Sequence, residues 1–364
     1  MHIPQKILSL FIVAAFACAG KSENVTDKQP YTVKGRTEVL EWNTIALIGS
    51  ASSVTFGFKG TKCTVKLSTT DTYEHHNYIV IEVDGQYYSR YKIQPSGTSV
   101  PVMVQGGQSH TLTVYKATEA SNGTVLFKGA DGDIFPVKEK PKKKIEFIGD
   151  SITCGMGNDL SEIPCDAGVW FDQHNAYYSY APIAAREVGA DFMLSSVSGI
   201  GMYRNWNDEH DKEAIMPDVY ENLYLNKDTS KPFNFSFTAD VTCIALGTND
   251  FSSGDGKKPR LPFNEDTYMS NYLNFIATVY RHNPKTQIVL LSSPMVTGER
   301  STTFVKCLNK IKDQVNSQKG HKEVKVFNFT AVTPHGCGSH PEIEDDKLMA
   351  SQLAPFLKAL LNGK

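Results

Sequence analysis

Four short blocks hold the residues that could do chemistry. In Ile145-Glu146-Phe147-Ile148-Gly149-Asp150-Ser151 an apolar run leads straight into Gly-Asp-Ser, so a glycine turn leaves the Ser151 hydroxyl at a strand's exit. Such a hydroxyl is a nucleophile once a base takes its proton; standing alone, Gly-Asp-Ser reads equally as a turn or a helix cap. Val241–Leu246 runs in the same way into Gly247-Thr248-Asn249-Asp250. The Asn249 amide, fixed at a strand end, can donate to the oxyanion of an acyl-transfer intermediate, a bond whose loss typically costs about 100- to 1000-fold in rate. Between these two lies Ser198-Gly199-Ile200-Gly201, whose glycines let backbone N–H groups close on a ligand. The N–H groups of Gly199 and Ser151 are the other oxyanion donors to expect. The fourth block, Gly336-Cys337-Gly338-Ser339-His340-Pro341, places His340 just ahead of a C-terminal helical pattern, and imidazole is the side chain best suited to act as base near neutral pH. Acyl transfer by these groups needs no metal and no cofactor. The scattered cysteines, with no C-x-x-C, also speak against zinc.

Two regions of different periodicity must position these blocks. From 31 to 137 short runs rich in β-branched and aromatic residues recur: Thr44–Ile48, Ser53–Phe58, Cys63–Leu67, Tyr78–Val83, Tyr87–Ile93, Val100–Val104, His110–Tyr115 and Thr124–Phe127. Turn pairs such as Asp84-Gly85 and Asn122-Gly123 punctuate them, and this spacing predicts a β-sandwich of jelly-roll type over residues 30–137. Residues 138–144, with five lysines around Glu139 and Pro141, read as a solvated linker. Beyond it, apolar strands (Lys144–Ile148, Asp191–Ser196, Val241–Leu246, Gln287–Leu291, Glu323–Asn328) alternate with amphipathic segments (Tyr177–Glu187, Thr267–Asn283, Thr302–Gln318, Lys347–Leu361). That alternation predicts an α/β domain over 145–364, a parallel sheet covered by helices on both faces. Loops at the carboxyl ends of such strands are where ligands bind.

Residues 1–19 read as a signal peptide. Lys6 precedes the apolar stretch Ile7–Ala19, which is too short to span a bilayer and contains the cleavage patterns Ala15-Phe16-Ala17 and Ala17-Cys18-Ala19. Cys18 keeps a lipid anchor open as a second, less favoured route. The expected location is secreted or periplasmic, with no integral membrane span. The 364 residues carry 37 basic and 39 acidic side chains, a balance that gives no electrostatic reason to bind nucleic acid. In an oxidising compartment some of Cys63, Cys154, Cys165, Cys243, Cys307 and Cys337 are expected to pair, with Cys154–Cys165 and Cys307–Cys337 preferred because each pair flanks a loop beside a motif.

The order Gly-Asp-Ser, Ser-Gly, Gly-Thr-Asn-Asp, His-Pro resembles the SGNH (GDSL) hydrolase superfamily in all four of its diagnostic blocks. A β-sandwich ahead of such a domain, with the phrases Gly35-Arg36-Thr37, Phe58-Lys59-Gly60-Thr61 and Ser198-Gly199-Ile200-Gly201, resembles carbohydrate esterase family two, whose members deacetylate xylan and related plant polysaccharides. The resemblance implies a flavodoxin-like catalytic sheet, Ser151 as nucleophile, His340 as base, and Gly199 and Asn249 as oxyanion donors. The substrate it implies is acetylated xylan, glucomannan or their oligosaccharides. One departure stands out: the aspartate that usually precedes the histidine by two or three residues is replaced by Gly338 and Cys337. Some members of the family rely on a Ser–His dyad with a backbone carbonyl behind the ring, and a dyad is expected here; Glu342, Glu344 or Asp345 would have to fold back to serve instead. Aromatic residues in loops near the motifs, Trp170, Phe171, Tyr177, Tyr178 and Trp206, together with Phe251, are candidate sugar-stacking positions. An SGNH lipase or thioesterase, and a carbohydrate-binding protein without activity, are the alternatives.

Overall fold

The computed structural model describes residues 29–70 and 76–363. The leader expected over 1–19, with Cys18, lies outside them. The first region is all strand: β1 Thr32–Lys34, β2 Thr37–Val39, β3 Ile45–Leu47, β4 Ser53–Thr69, β5 Asn77–Val83, β6 Gln86–Ile93, β7 Thr98–Met103, β8 Ser109–Lys116 and β9 Val125–Phe135. They pair antiparallel in the order β2-β3-β9-β4-β8-β5-β6, with β1 and β7 also on β4. Two runs expected as separate strands are one: β4 continues through Gly60 (φ +94°), with a register shift against β9 between Lys59 and Thr64. Glycine is the residue that holds such a φ without strain, so the break seen in the sequence is an irregularity inside one strand. Along β4 the first half pairs with β8 and the second half with β7. The sheet thereby encloses Phe56, Phe58, Val65, Leu67, Ile81, Val114 and Phe127, all buried.

The second region begins with β10, Lys144–Gly149, followed by α1 Ser151–Cys154, α2 Tyr180–Glu187, β11 Asp191–Ser196, α3 Met216–Val219, β12 Val241–Ala245, α4 Thr248–Phe251, α5 Glu265–His282, β13 Gln287–Leu291, α6 Gly298–Asn316, β14 Lys325–Phe327 and α7 Ile343–Leu361. Its five strands are parallel in the order β11-β10-β12-β13-β14. Counted within this domain that is 2-1-3-4-5, the flavodoxin-like order, which switches direction on either side of the first strand. Alternate side chains serve opposite faces. Ile148, Ile244, Ile288 and Leu290 pack on Phe275 and Val279 of α5 and on Phe304 and Leu308 of α6. Phe147, Val241, Cys243 and Val289 pack on Ala181 and Ala184 of α2 and on Met349 and Leu353 of α7. Helices cover both faces, so the inner strands read as largely apolar runs. Among the described residues no helix is long and apolar enough to cross a membrane.

The two sheets meet over a tight seam. Arg36, fully buried, donates from Nε to Ser195 Oγ (3.2 Å), from Nη1 to Asn222 O (2.7 Å) and from Nη2 to Tyr220 O (2.8 Å). Ser195 Oγ donates in turn to Glu146 Oε1 at 2.8 Å. Burial pushes the Arg36 guanidinium down to about 10, opposed by the Glu146 charge. Around this polar bridge, Ala46 and Ile48 of the sandwich pack on Met193, Leu223 and Phe233, and Tyr78 and Val80 pack on Tyr177.

Candidate active site

β10 is the first strand at the topological switch, and its exit carries Ser151. Gly149 lies so close to the next turn that a Cβ there would come within 2.8 Å of Thr153 Cβ, so only glycine fits. Asp150 caps α1, its carboxylate accepting the Ile152 N–H at 3.1 Å. Burial pushes that carboxyl up to about 7, against the Ile152 bond.

His340 reaches this turn across 189 positions of sequence: its Nε2 lies 2.7 Å from Ser151 Oγ. Its Nδ1 lies 2.9 Å from Gly338 O. A carbonyl can only accept, so Nδ1 carries the proton and Nε2 is the lone-pair nitrogen that accepts from the serine hydroxyl. The turn that aims this carbonyl holds two consecutive left-handed residues, Gly338 (φ +61°) and Ser339 (φ +59°). For a serine that is a strained state, one that persists only when its surroundings dictate it. Burial holds the His340 ring below its ordinary pKa, opposed by its hydrogen bonding to the Gly338 and Cys337 backbone. The three acids that might have backed the ring stand with other partners. Asp345 accepts from His335 Nδ1 at 3.0 Å, and Glu344 pairs with Lys347 at 2.6 Å. The Glu342 carboxylate stands in a cluster with His335 and Asp345, their polar atoms within 4.8 Å of one another.

The histidine loop is fastened to the loop that follows Ser151. Cys337 forms a disulfide with Cys165, so neither Cys154–Cys165 nor Cys307–Cys337 is the pairing; Cys154 and Cys307 are free and buried. Each expected pair included a cysteine that faces the packed interior of its helix, Cys154 or Cys307, while Cys165 and Cys337 meet between two loops of the domain. Cys337 N donates to Gly157 O at 2.8 Å, and Ile343 N to Asn158 O at 3.0 Å. Gly157 (φ +65°) would, with a Cβ, press to 2.8 Å from Cys337 O. Asp346, fully buried on α7, takes Asn158 Nδ2 and Tyr180 N, each at 2.9 Å.

The Gly199 loop lies on the other side of β10, after β11. Gly199 (φ +77°) accepts Trp206 N–H at 2.9 Å. Gly201 N donates to Asn205 Oδ1 at 3.0 Å. Asn249, near the start of α4, donates from Nδ2 to Ile200 O at 2.8 Å, which fixes its amide and leaves the second Nδ2 hydrogen for another acceptor. Asp250 beside it is fully buried and receives the N–H groups of Met202, Tyr203 and Arg204. Ser151, His340, Asn249, Trp206 and Arg300 line one cavity of about 660 Å³.

The aromatic candidates divide. Trp206, 46% exposed, and Phe251, buried against Phe263 at 3.9 Å, line the cavity. Tyr177 is 4% exposed and belongs to the seam: its hydroxyl donates to Glu82 Oε2 at 2.9 Å and Arg186 covers its ring. Its aromatic bulk packs one domain on the other, which leaves no face for a sugar. Trp170 is exposed, edge-on to Phe171, and is not part of that cavity's lining. Sequence reasoning missed the Cys165–Cys337 link, the Gly157 contact, Arg300, and Glu119, a sandwich residue whose Oε2 accepts Ser198 N–H at 2.6 Å. A buried acid carries no local signal when its partner lies in another domain.

Comparison with known proteins finds relatives of both regions of the chain. Residues 33–135 match the carbohydrate esterase 2 N-terminal model, and residues 147–348 match that of the GDSL-like lipase/acylhydrolase family. An acetylxylan esterase / glucomannan deacetylase of Cellvibrio japonicus is 28% identical over 274 residues, 73% of each chain. Cellulase/esterase CelE of Acetivibrio thermocellus is 30% identical over 335 residues, 89% of this chain and 39% of that one. The structure of a family two carbohydrate esterase from Clostridium thermocellum in complex with cellohexaose superposes with a TM-score of 0.80 at 28% identity, covering 91% of this chain and 99% of that one.

Proposed function

The chain belongs to the GDSL-like lipase/acylhydrolase family, and we propose that within it this ester hydrolase removes acetyl groups from plant polysaccharide, xylan or glucomannan or their oligosaccharides, through a serine acyl-enzyme. The observation that carries the reading is the 2.7 Å hydrogen bond between Ser151 Oγ and His340 Nε2, with the far side of the ring committed to a carbonyl. His340 takes the Ser151 proton as Oγ attacks the acetyl carbon. Negative charge on the carbonyl oxygen meets the Ser151 N–H, the Gly199 N–H and the remaining Asn249 Nδ2 hydrogen. The Nε2–H then protonates the departing sugar oxygen, and water releases acetate by the same route in reverse order. Trp206, half exposed on the cavity wall, is the position suited to stack a sugar ring. The leader pattern at residues 1–19, together with a disulfide between Cys165 and Cys337, supports export to an oxidising compartment.

The test is acetate release from acetylated xylan, acetylated glucomannan and a long-chain lipid ester, measured side by side. Release from one or both polysaccharides with little from the lipid is expected. Preference for the long acyl chain would overturn the substrate class in favour of a lipase.

A further inference from the structure

Glu119 is a glutamate of the sandwich that has no contact with solvent: it is 0% exposed, on the turn that joins β8 to β9. Its backbone is seated there by Lys116 Nζ, which donates to Glu119 O at 2.5 Å and to Ile48 O at 3.0 Å, and by Asn122 N, which donates to Glu119 O at 3.2 Å. The side chain crosses the seam. Oε2 accepts the Ser198 N–H at 2.6 Å and the Cys154 thiol at 3.4 Å. Cys154 is the last residue of the helix that opens with Ser151, and its sulfur also meets Ser196 Oγ at 3.2 Å, at the end of β11. The other carboxylate oxygen faces His174 Nε2 at 3.9 Å, a ring buried completely and held well below its ordinary pKa by that burial and by the neighbouring cations. A single carboxylate oxygen thus touches both the loop that carries Gly199 and the helix that carries Ser151.

Burying a polar group is costly unless hydrogen bonds offset the loss of water. At 2.6 Å the bond from the Ser198 N–H to Oε2 is short for an N–H···O hydrogen bond. What it restrains is a segment with little stiffness of its own: Gly199 and Gly201 stand in it, and Gly199 has a left-handed φ of +77°. The catalytic domain supplies anchors to residues 199–201, through Trp206 N, Asn249 Nδ2 and Asn205 Oδ1. Ser198, the residue whose carbonyl carbon forms the peptide with the Gly199 N–H, is tied instead to the sandwich.

We propose that Glu119 is a positioning residue for the ester hydrolysis: by holding the Ser198 N–H it sets the plane of the next peptide, so that the Gly199 N–H points at the oxyanion. This rests on the esterase reading above, and it gives the sandwich a part in the reaction distinct from binding polysaccharide. A misdirected donor weakens the transition state more than the bound substrate, so the loss belongs in kcat.

The experiment uses the full-length chain with Glu119→Leu, Glu119→Gln and, in parallel, Ser151→Ala, reading kcat and KM for acetylated xylo-oligosaccharide alongside the melting temperature. The expected result for Glu119→Leu is a fall in kcat of about 10- to 100-fold with KM within about twofold, the scale set by a weakened oxyanion donor. Glu119→Gln, which keeps an oxygen for the Ser198 N–H, should recover kcat to within about threefold. If Glu119→Leu does not fold, Glu119→Asp, which draws the carboxylate back by one methylene, takes its place with the same expected split. A folded Glu119→Leu or Glu119→Asp with wild-type kcat and only a lowered melting temperature overturns the positioning role. So does a Glu119→Gln as slow as Glu119→Leu. Full activity of Ser151→Ala would instead overturn the esterase reading itself, whatever Glu119 does.

Discussion

The serine and the histidine stand 2.7 Å apart, yet the regions that hold them are built on different physics. Ser151 leaves a strand flanked on both sides by other strands, and that strand's Ile145, Phe147 and Ile148 are fully buried between helices. The hydrophobic core fixes it. His340 leaves no strand at all. It sits in a short loop with two left-handed residues, and its place comes from one disulfide, two backbone hydrogen bonds to the 157–158 turn and the Asp346 bridge. The difference teaches that one half of a dyad can be set by packing while the other half is set by bonds, and that the two halves should fail under different insults.

The largest effect should come from removing either member. Ser151→Ala and His340→Ala are each expected to lower acetate release by about 10⁴-fold or more, and the double variant by no more than the worse single, because groups that act as a unit are not additive. Steady-state kinetics with active-site titration by a fluorophosphonate would check this. Clearly additive losses would break the pairing. The next effect separates the two regions. Cys165→Ser, or reduction with dithiothreitol, should lower kcat by about tenfold and stability by about 2–5 kcal/mol. Phe147→Leu should cost about 1–2 kcal/mol of stability with kcat per folded molecule unchanged. Chemical denaturation and rate measurement on the same samples would test the contrast, which is lost if both variants change kcat alike. The smallest effect is the pH profile. The reaction needs His340 neutral, and its pKa is lowered from the ordinary 6.5 by burial. The value of kcat/KM should therefore rise through an apparent pKa below 6.5 and stay flat to neutral pH and beyond. A midpoint above 6.5 would mean that a negative charge backs the ring after all.

Much of this was written legibly in the chain. The inner strands of the parallel sheet are buried on both faces, so each appears as a short, largely apolar run such as Val241–Ala245, and the helices between them keep one apolar stripe. The chemistry blocks stood out because each directly follows such a run or precedes the last helix. Other features have no local signature. β1 and β2 are three residues each, too short for a pattern. β4 hides its continuity behind Gly60. The Cys165–Cys337 pairing spans 172 positions, and spacing alone could not choose it. Tyr177 looked like a sugar platform because composition does not reveal which way a ring faces. Arg36 and Glu119 carry no local mark of their burial, since the groups they serve belong to another domain.

The carbonyl behind the His340 ring has a further consequence, for leaving groups. When Nε2 takes up the serine proton, the resulting cation faces a neutral dipole at Nδ1 in place of a carboxylate. An imidazolium without a counter-charge gives up its proton more readily. That matters little when a phenolate departs, since a phenolate is stable unprotonated. It matters a great deal for an alkoxide leaving a sugar ring, which cannot depart at neutral pH without a proton in hand. With the roles proposed for Ser151 and His340, a weaker base paired with a keener acid should favour alkyl esters over activated aryl ones, and chromogenic aryl acetates are expected to understate activity on acetylated sugar.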